Sequence, residues 1–198
     1  MAKRWQENAG LLILRAGLGG VLAAHGAQKL FGWFGGHGLT GTAAAFEQMG
    51  FAPGRPSALA AGLGEAGGGL LIALGLATPA AGAAAAATMI PATAVHAPSG
   101  FFATGGGYEY PALLGVSAAT LTLIGPGDWS VDAGFDHRLN RPWMAGAALL
   151  ASTAASLAIV QRRRRFLAVR RAAAVSQAGA DAGQTPGSGT PAPSTVPS

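Results

Sequence analysis

The chain has 198 residues, of which 50% are hydrophobic and only 11% are Asp, Glu, Lys or Arg, and its mean hydropathy is +0.36. A water-soluble domain carries about 25% charged residues, so the composition excludes a soluble globular fold and makes a bilayer the expected solvent. The lack of cysteine rules out disulfides, thiolate metal sites, Fe–S clusters and redox thiols. The net charge is +5, and 6 of the 13 basic residues lie from Arg162 to Arg171, directly behind an apolar stretch. That placement suits a membrane-flanking anchor rather than a nucleic-acid groove, so nucleic acid is not an expected partner.

Five stretches read as spans, against the roughly 17–25 residues that a helix needs to cross the hydrocarbon. The first, residues 9–30, is apolar but contains Arg15, His25 and Lys29. Arg15 interrupts the apolar core that a signal peptide needs, so the segment reads as a span. A Gly- and aromatic-rich connection follows (Phe31-Gly32-Trp33-Phe34-Gly35-Gly36), then a short amphipathic helix over residues 40–50, with Thr42 as its expected cap. The second span, 57–77, holds Glu65, and the tight turn at Thr78-Pro79 makes an antiparallel hairpin with the third, 80–97, which ends in Pro91 and His96. A second aromatic loop carries Phe101, Phe102 and Tyr108. The fourth span, 110–124, is short and crosses if Tyr108 and Gly125 sit in the interfaces. The fifth, 143–160, has no charged residue. The Gly/Ser/Pro/Thr/Ala-rich tail, 172–198, is expected to be disordered.

Both aromatic loops follow odd-numbered spans and so share one side of the membrane. The positive-inside rule puts residues 162–165 inside and the N-terminus outside. Four spans with both ends inside would fit the charges better, but would leave a fully apolar stretch without a crossing, so five spans are retained.

An ionisable side chain costs roughly 2.5–3.5 kcal/mol inside a bilayer and persists where it pairs or faces a wet cavity. Arg15 and Lys29 fall within about 40° of each other on a helix, and His25 and Lys29 are one turn apart, so the first span has one polar face. Glu65, the sole charge of the second span, is the natural counter-ion for Arg15 or Lys29, and Arg15 with Glu65 is the expected buried ion pair. The Gly64-xxx-Gly68 spacing allows close helix approach. The pair either fixes helix register or belongs to a proton-handling or head-group site. His25 and His96 lie at similar depth. No third ligand and no metal spacing accompanies them, so no metal is expected and haem is disfavoured. A proton relay or a hydrogen bond to a quinone carbonyl suits a neutral imidazole better. Glu109 lies at a helix N-terminus just before Pro111, where its charge is favoured; alternatively Tyr108 and Glu109 line a pocket with His25, Lys29 and His96. Phe31, Trp33, Phe34, Phe101 and Phe102 are then either its apolar wall or an interfacial belt.

These residues carry a family resemblance. Leu14-Arg15, then His25-Gly26-Ala27-Gln28-Lys29-Leu30-Phe31-Gly32-Trp33-Phe34-Gly35-Gly36, Gly41-Thr42, Gly64-Glu65-Ala66-Gly67-Gly68, and His96 with Gly100-Phe101-Phe102 resemble the DoxX family of membrane proteins. Gly106-Gly107-Tyr108-Glu109-Tyr110-Pro111 and Gly125-Pro126-Gly127-Asp128-Trp129-Ser130 extend the resemblance over about residues 11–133. It implies an all-α, transmembrane four-helix bundle core, here residues 9–133, after a flank at 1–8. An additional C-terminal transmembrane helix with its Arg cluster occupies 134–165, and a tail that starts basic occupies 166–198. It further implies a membrane subunit associated with quinone-linked oxidoreduction or oxidative-stress defence, with redox partner subunits. A non-catalytic scaffold of a membrane complex is the main alternative. A small transporter is less favoured, because the first two spans do not echo the next two as an inverted repeat would.

Overall fold

A computed structural model of the chain describes residues 2–183, and among these residues every regular element is helical. Helix α1 (Ala2–Phe31) leads through a short 3-10 turn to α2 (Gly38–Gln48). Helix α3 (Gly54–Leu74) reverses into α4 (Thr78–His96). The second aromatic loop joins α4 to α5 (Glu109–Ile124), a single turn α6 (Val131–Gly134) follows, and α7 (Pro142–Gly183) closes the described chain. Helices α1, α3, α4 and α7 are long and apolar enough to cross a membrane; α5, at 16 residues, is the short apolar one. The four-helix core is α1, α3, α4 and α5, with α7 laid against α4 and α5.

The polarity of the bundle is that of a protein solvated by lipid. Large apolar side chains point outward: Ile13, Leu63, Leu70, Leu113, Val116, Leu123 and Leu150 are all exposed. Inside, Leu18, Leu22, Ile72, Met89, Leu114 and Leu121 form a small core, and the rest of the interior is alanine, glycine and a few polar groups. Small residues let the backbones approach where hydrophobic exclusion between helices is absent. A Cβ on Gly19 or Gly26 of α1 would strike Gly69 or Ala66 of α3, so this contact is close-packed backbone. On the other side of α3, Gly64 faces Thr88 and Gly68 faces Ala81 and Ala85 of α4, the close approach that their four-residue spacing predicts.

The expected hairpin is present: α3 ends at Gly75, whose φ of +64° sets the left-handed cap, and α4 starts at Thr78 with Pro79 in its first turn. From these contacts the directions follow. Helices α1, α4 and α7 run from the end holding this turn to the end holding both aromatic loops, and α3 and α5 run back.

Two local expectations change. Thr42 is not a helix cap; His37 occupies that position, and Thr42 lies buried inside α2 with its hydroxyl donating to the Lys29 carbonyl at 3.3 Å. It therefore meets one of the orphan carbonyls at the end of α1. The segment read as a disordered tail begins as helix, since α7 continues unbroken to Gly183. Residues 172–183 are alanine-rich and extend a helix that is already nucleated, so propensity outweighs their low complexity. Residues 184–198 of that expectation lie outside the described residues.

Candidate functional site: a cavity among four helices

At the aromatic-loop end, α1, α3, α4 and α5 diverge around a cavity of about 160 Å³. Helix α1 contributes Leu22, His25 and Lys29, which repeat at i, i+3 and i+7 and so share a face. Helix α3 contributes Glu65, α4 contributes Met89, Ala92 and His96, and α5 contributes Tyr110, Pro111 and Leu114. The volume is close to that of an apolar cavity, about 150 Å³, that accepts one benzene-sized ring.

The polar groups are arranged in pairs. The Lys29 ammonium donates to Glu65 Oε2 at 2.5 Å, with the lysine side chain 24% exposed and the glutamate 6%. The ion is thus buried on the α3 side and open on the α1 side. His25 Nε2 lies 3.1 Å from the Tyr110 hydroxyl, and the rings sit 5.7 Å apart. His96 Nδ1 donates to the Gly106 carbonyl at 2.8 Å. A neutral His96 therefore carries its proton on Nδ1 and keeps Nε2 as a free acceptor. The cavity thus combines a cation, a phenol and two imidazoles above an apolar floor of Leu22, Met89 and Leu114.

Of the residues expected at a site, His25, Lys29 and His96 come together here, and Glu65 joins them as the partner of Lys29. Tyr108 and Glu109 do not line the cavity. Tyr108 packs edge-on against Phe101 with ring centroids 5.4 Å apart, and the Glu109 carboxylate accepts from the Ala103 amide at 3.0 Å, bracing the loop at the start of α5. Phe31, Trp33, Phe34, Phe101 and Phe102 are not its wall either; all five are exposed around the loops. Tyr110, which the sequence reading passed over, is the tyrosine that enters. Its signal was its four-residue spacing from Leu114, which places the two on one helical face.

The expected pair of Arg15 with Glu65 does not form. The antiparallel register that sets Gly26 against Ala66 and Gly19 against Gly69 puts Arg15 beside Gly75, ten residues and about 15 Å along α3 from Glu65. Arg15 is 1% exposed and its Nη2 donates to the Trp129 carbonyl, while its Nε and Nη1 have no partner among the described residues. Close by, Asp132 is fully buried and accepts from the Ala77 amide at 2.9 Å and from the Thr78 amide at 3.2 Å. Its own amide donates to the Gly75 carbonyl at 2.9 Å. Asp132 thus clasps the α3–α4 turn at the end of the bundle opposite the cavity, and Arg15 ties α1 to Trp129 beside it.

The fold and the cavity define a multi-helix membrane protein with a polar chamber at one end of its bundle. Residues 10–98 match the DoxX family model. That match is consistent with a DoxX family protein, as the resemblance in its motifs indicated. The matched stretch contains most of α1 and all of α2 to α4, and hence His25, Lys29, Glu65 and His96; Tyr110 and the clasp residue Asp132 lie beyond it. No curated protein and no solved structure matches the chain.

Proposed function

We propose that the protein is a membrane subunit associated with quinone-linked oxidoreduction or with defence against oxidative stress, and that its cavity takes the ring head of a quinone or a similar lipophilic carbonyl compound. The observation that carries this reading is the convergence of Lys29, His25, His96 and Tyr110, from three different helices, on a ring-sized apolar cavity. Lys29 and Tyr110 offer donors for carbonyl oxygens, and His96 offers its Nε2 as an acceptor. Glu65 holds the Lys29 ammonium in place against the cost of burying it. A quinone would bring the electron-carrying chemistry, and redox partner subunits would bring the donor or acceptor. The Arg-rich segment after the α7 span supports a cytoplasmic position for the cavity end, by the positive-inside rule.

The test is lipid extraction of protein purified in mild detergent, with mass spectrometry of bound lipophilic compounds and membrane redox assays on Glu65→Gln and His25→Ala. Bound quinone that is depleted in both variants supports the reading. Absence of quinone together with unchanged redox activity in both variants defeats it.

A second reading, a scaffold for a membrane complex, is favoured by the deep burial of the Glu65 end of the ion pair, which also ties α1 to α3. On that reading, replacing both partners by apolar residues leaves the chain folded and its partner proteins bound.

A further inference from the structure

A second concavity lies away from the chamber, where α7 emerges beside the α2–α3 turn. It has a volume of about 460 Å³ and is lined by Glu47, Ala52 and Pro53 on one side and by Arg162, Arg165, Phe166 and Val169 on the other. The four α7 residues share one helical face by their spacing. Arg163, on the adjoining face, fastens the two walls together: its Nε donates to the Met49 carbonyl at 2.8 Å and its guanidinium lies 5.4 Å from the centre of the Phe51 ring. The turn accepts this contact because Gly50, at φ +94°, leaves room for Leu167 and Arg163 where a Cβ would collide. A fourth guanidinium, that of Arg170, stands over Phe166 at 5.7 Å. Neither Arg162 nor Arg165 pairs with a carboxylate among the described residues, although Glu47 lies on the opposite wall.

We infer that this groove binds the phosphate headgroup of an anionic phospholipid, with Arg162 and Arg165 on the phosphate and Phe166, Val169, Ala52 and Pro53 along the start of an acyl chain. Position, charge and shape agree. The groove sits directly after the apolar α7 span, where lipid headgroups are found. Two unpaired guanidiniums can each offer paired donors to phosphate oxygens. Apart from Glu47 the remaining lining is apolar, which suits a lipid tail and not a free soluble anion. Basic clusters just outside a span attract anionic lipid in general; here the fastened α2–α3 turn gives one face of the cluster a second wall that the opposite face lacks.

That difference supplies the experiment. The full chain is purified in mild detergent from an equimolar mixture of phosphatidylglycerol and phosphatidylcholine, and co-purifying lipid is measured by mass spectrometry. Wild type is expected to retain phosphatidylglycerol preferentially. Arg162→Gln with Arg165→Gln lowers that retention by about tenfold, whereas Arg164→Gln with Arg171→Gln, the same charge loss on the opposite face, changes it by less than about twofold. An excess of inorganic phosphate does not displace the lipid. Equal retention of the two lipids by wild type overturns the inference without recourse to any variant. Equal losses in the two double variants overturn it by reducing the groove to diffuse charge, and displacement by phosphate overturns the assignment to lipid.

Discussion

Lys29 and Glu65 meet at 2.5 Å across the α1–α3 contact, one end of the pair covered by protein and the other open to the cavity. Breaking it from one side strands a charge. Glu65→Gln is expected to destabilise the protein by about 1–3 kcal/mol, below the range for fully buried pairs because Lys29 retains some exposure. Lys29→Met combined with Glu65→Leu should recover most of that loss, since neither charge is then left alone. Thermal unfolding in detergent measures both. A double variant no more stable than Glu65→Gln would mean that the ion pair itself, rather than the relief of a stranded charge, supports the bundle.

Tyr110→Phe removes the only side-chain partner that the described structure gives His25. Loss of one hydrogen bond near a cavity is expected to cost about 0.5–1.5 kcal/mol in stability, with helical content unchanged. Tyr108→Phe serves as the control, because Tyr108 contributes its ring to Phe101 and no hydroxyl contact to the cavity. If quinone binding is measured alongside, Tyr110→Phe should weaken it and Tyr108→Phe should not.

Glycines of α1 divide sharply by position. Gly26→Ala pushes a methyl group into the Ala66 backbone and should cost about 1–3 kcal/mol or more. Gly20→Ala meets nothing within 4 Å and should be neutral, or stabilising by up to about 1 kcal/mol through helix propensity. Melting temperatures of the two variants in one detergent decide the matter, and equal values would refute the register assigned to α1 and α3.

Asp132→Ala deprives the start of α4 of its acceptor and leaves the Ala77 and Thr78 amides without it. Caps of this kind are worth about 0.5–2 kcal/mol, and the full burial of Asp132 puts the expected loss at the upper end. Amide hydrogen exchange should rise at residues 75–80 before it rises at the cavity end. Uniform exchange along α4 would contradict a local role.

Much of this architecture was legible in the chain. Apolar runs announced α1, α3, α4 and α7, Pro79 announced the sharp reversal, and the spacing of Gly64 and Gly68 foretold the face that meets α4. The partner of Glu65 was only half legible. A helical wheel puts Arg15 and Lys29 on the same side of α1 but discards height, and their fourteen-residue separation is about 21 Å along the axis. Which of them reaches Glu65 depends on the register with α3, which glycine contacts set and no single-helix pattern records. Arg15 found its carbonyl partner in Trp129, 114 residues away in an irregular segment outside every span, where periodicity has nothing to say. Tyr110 rather than Tyr108 enters because α5 begins at Glu109, which leaves Tyr108 at the cap and puts Tyr110 in the first turn. The aromatic loops were legible, but their direction was not: their rings pack on one another and stay out of the chamber lining.

Helix α7 has 42 residues, or about 63 Å of rod, against a hydrocarbon layer of about 30 Å. It starts at the same end of the bundle as the α3–α4 turn, so the excess all projects at the other end, past the arginines. The protein thus carries a stiff mast beyond its bundle, with residues 168–180 exposed along their whole length.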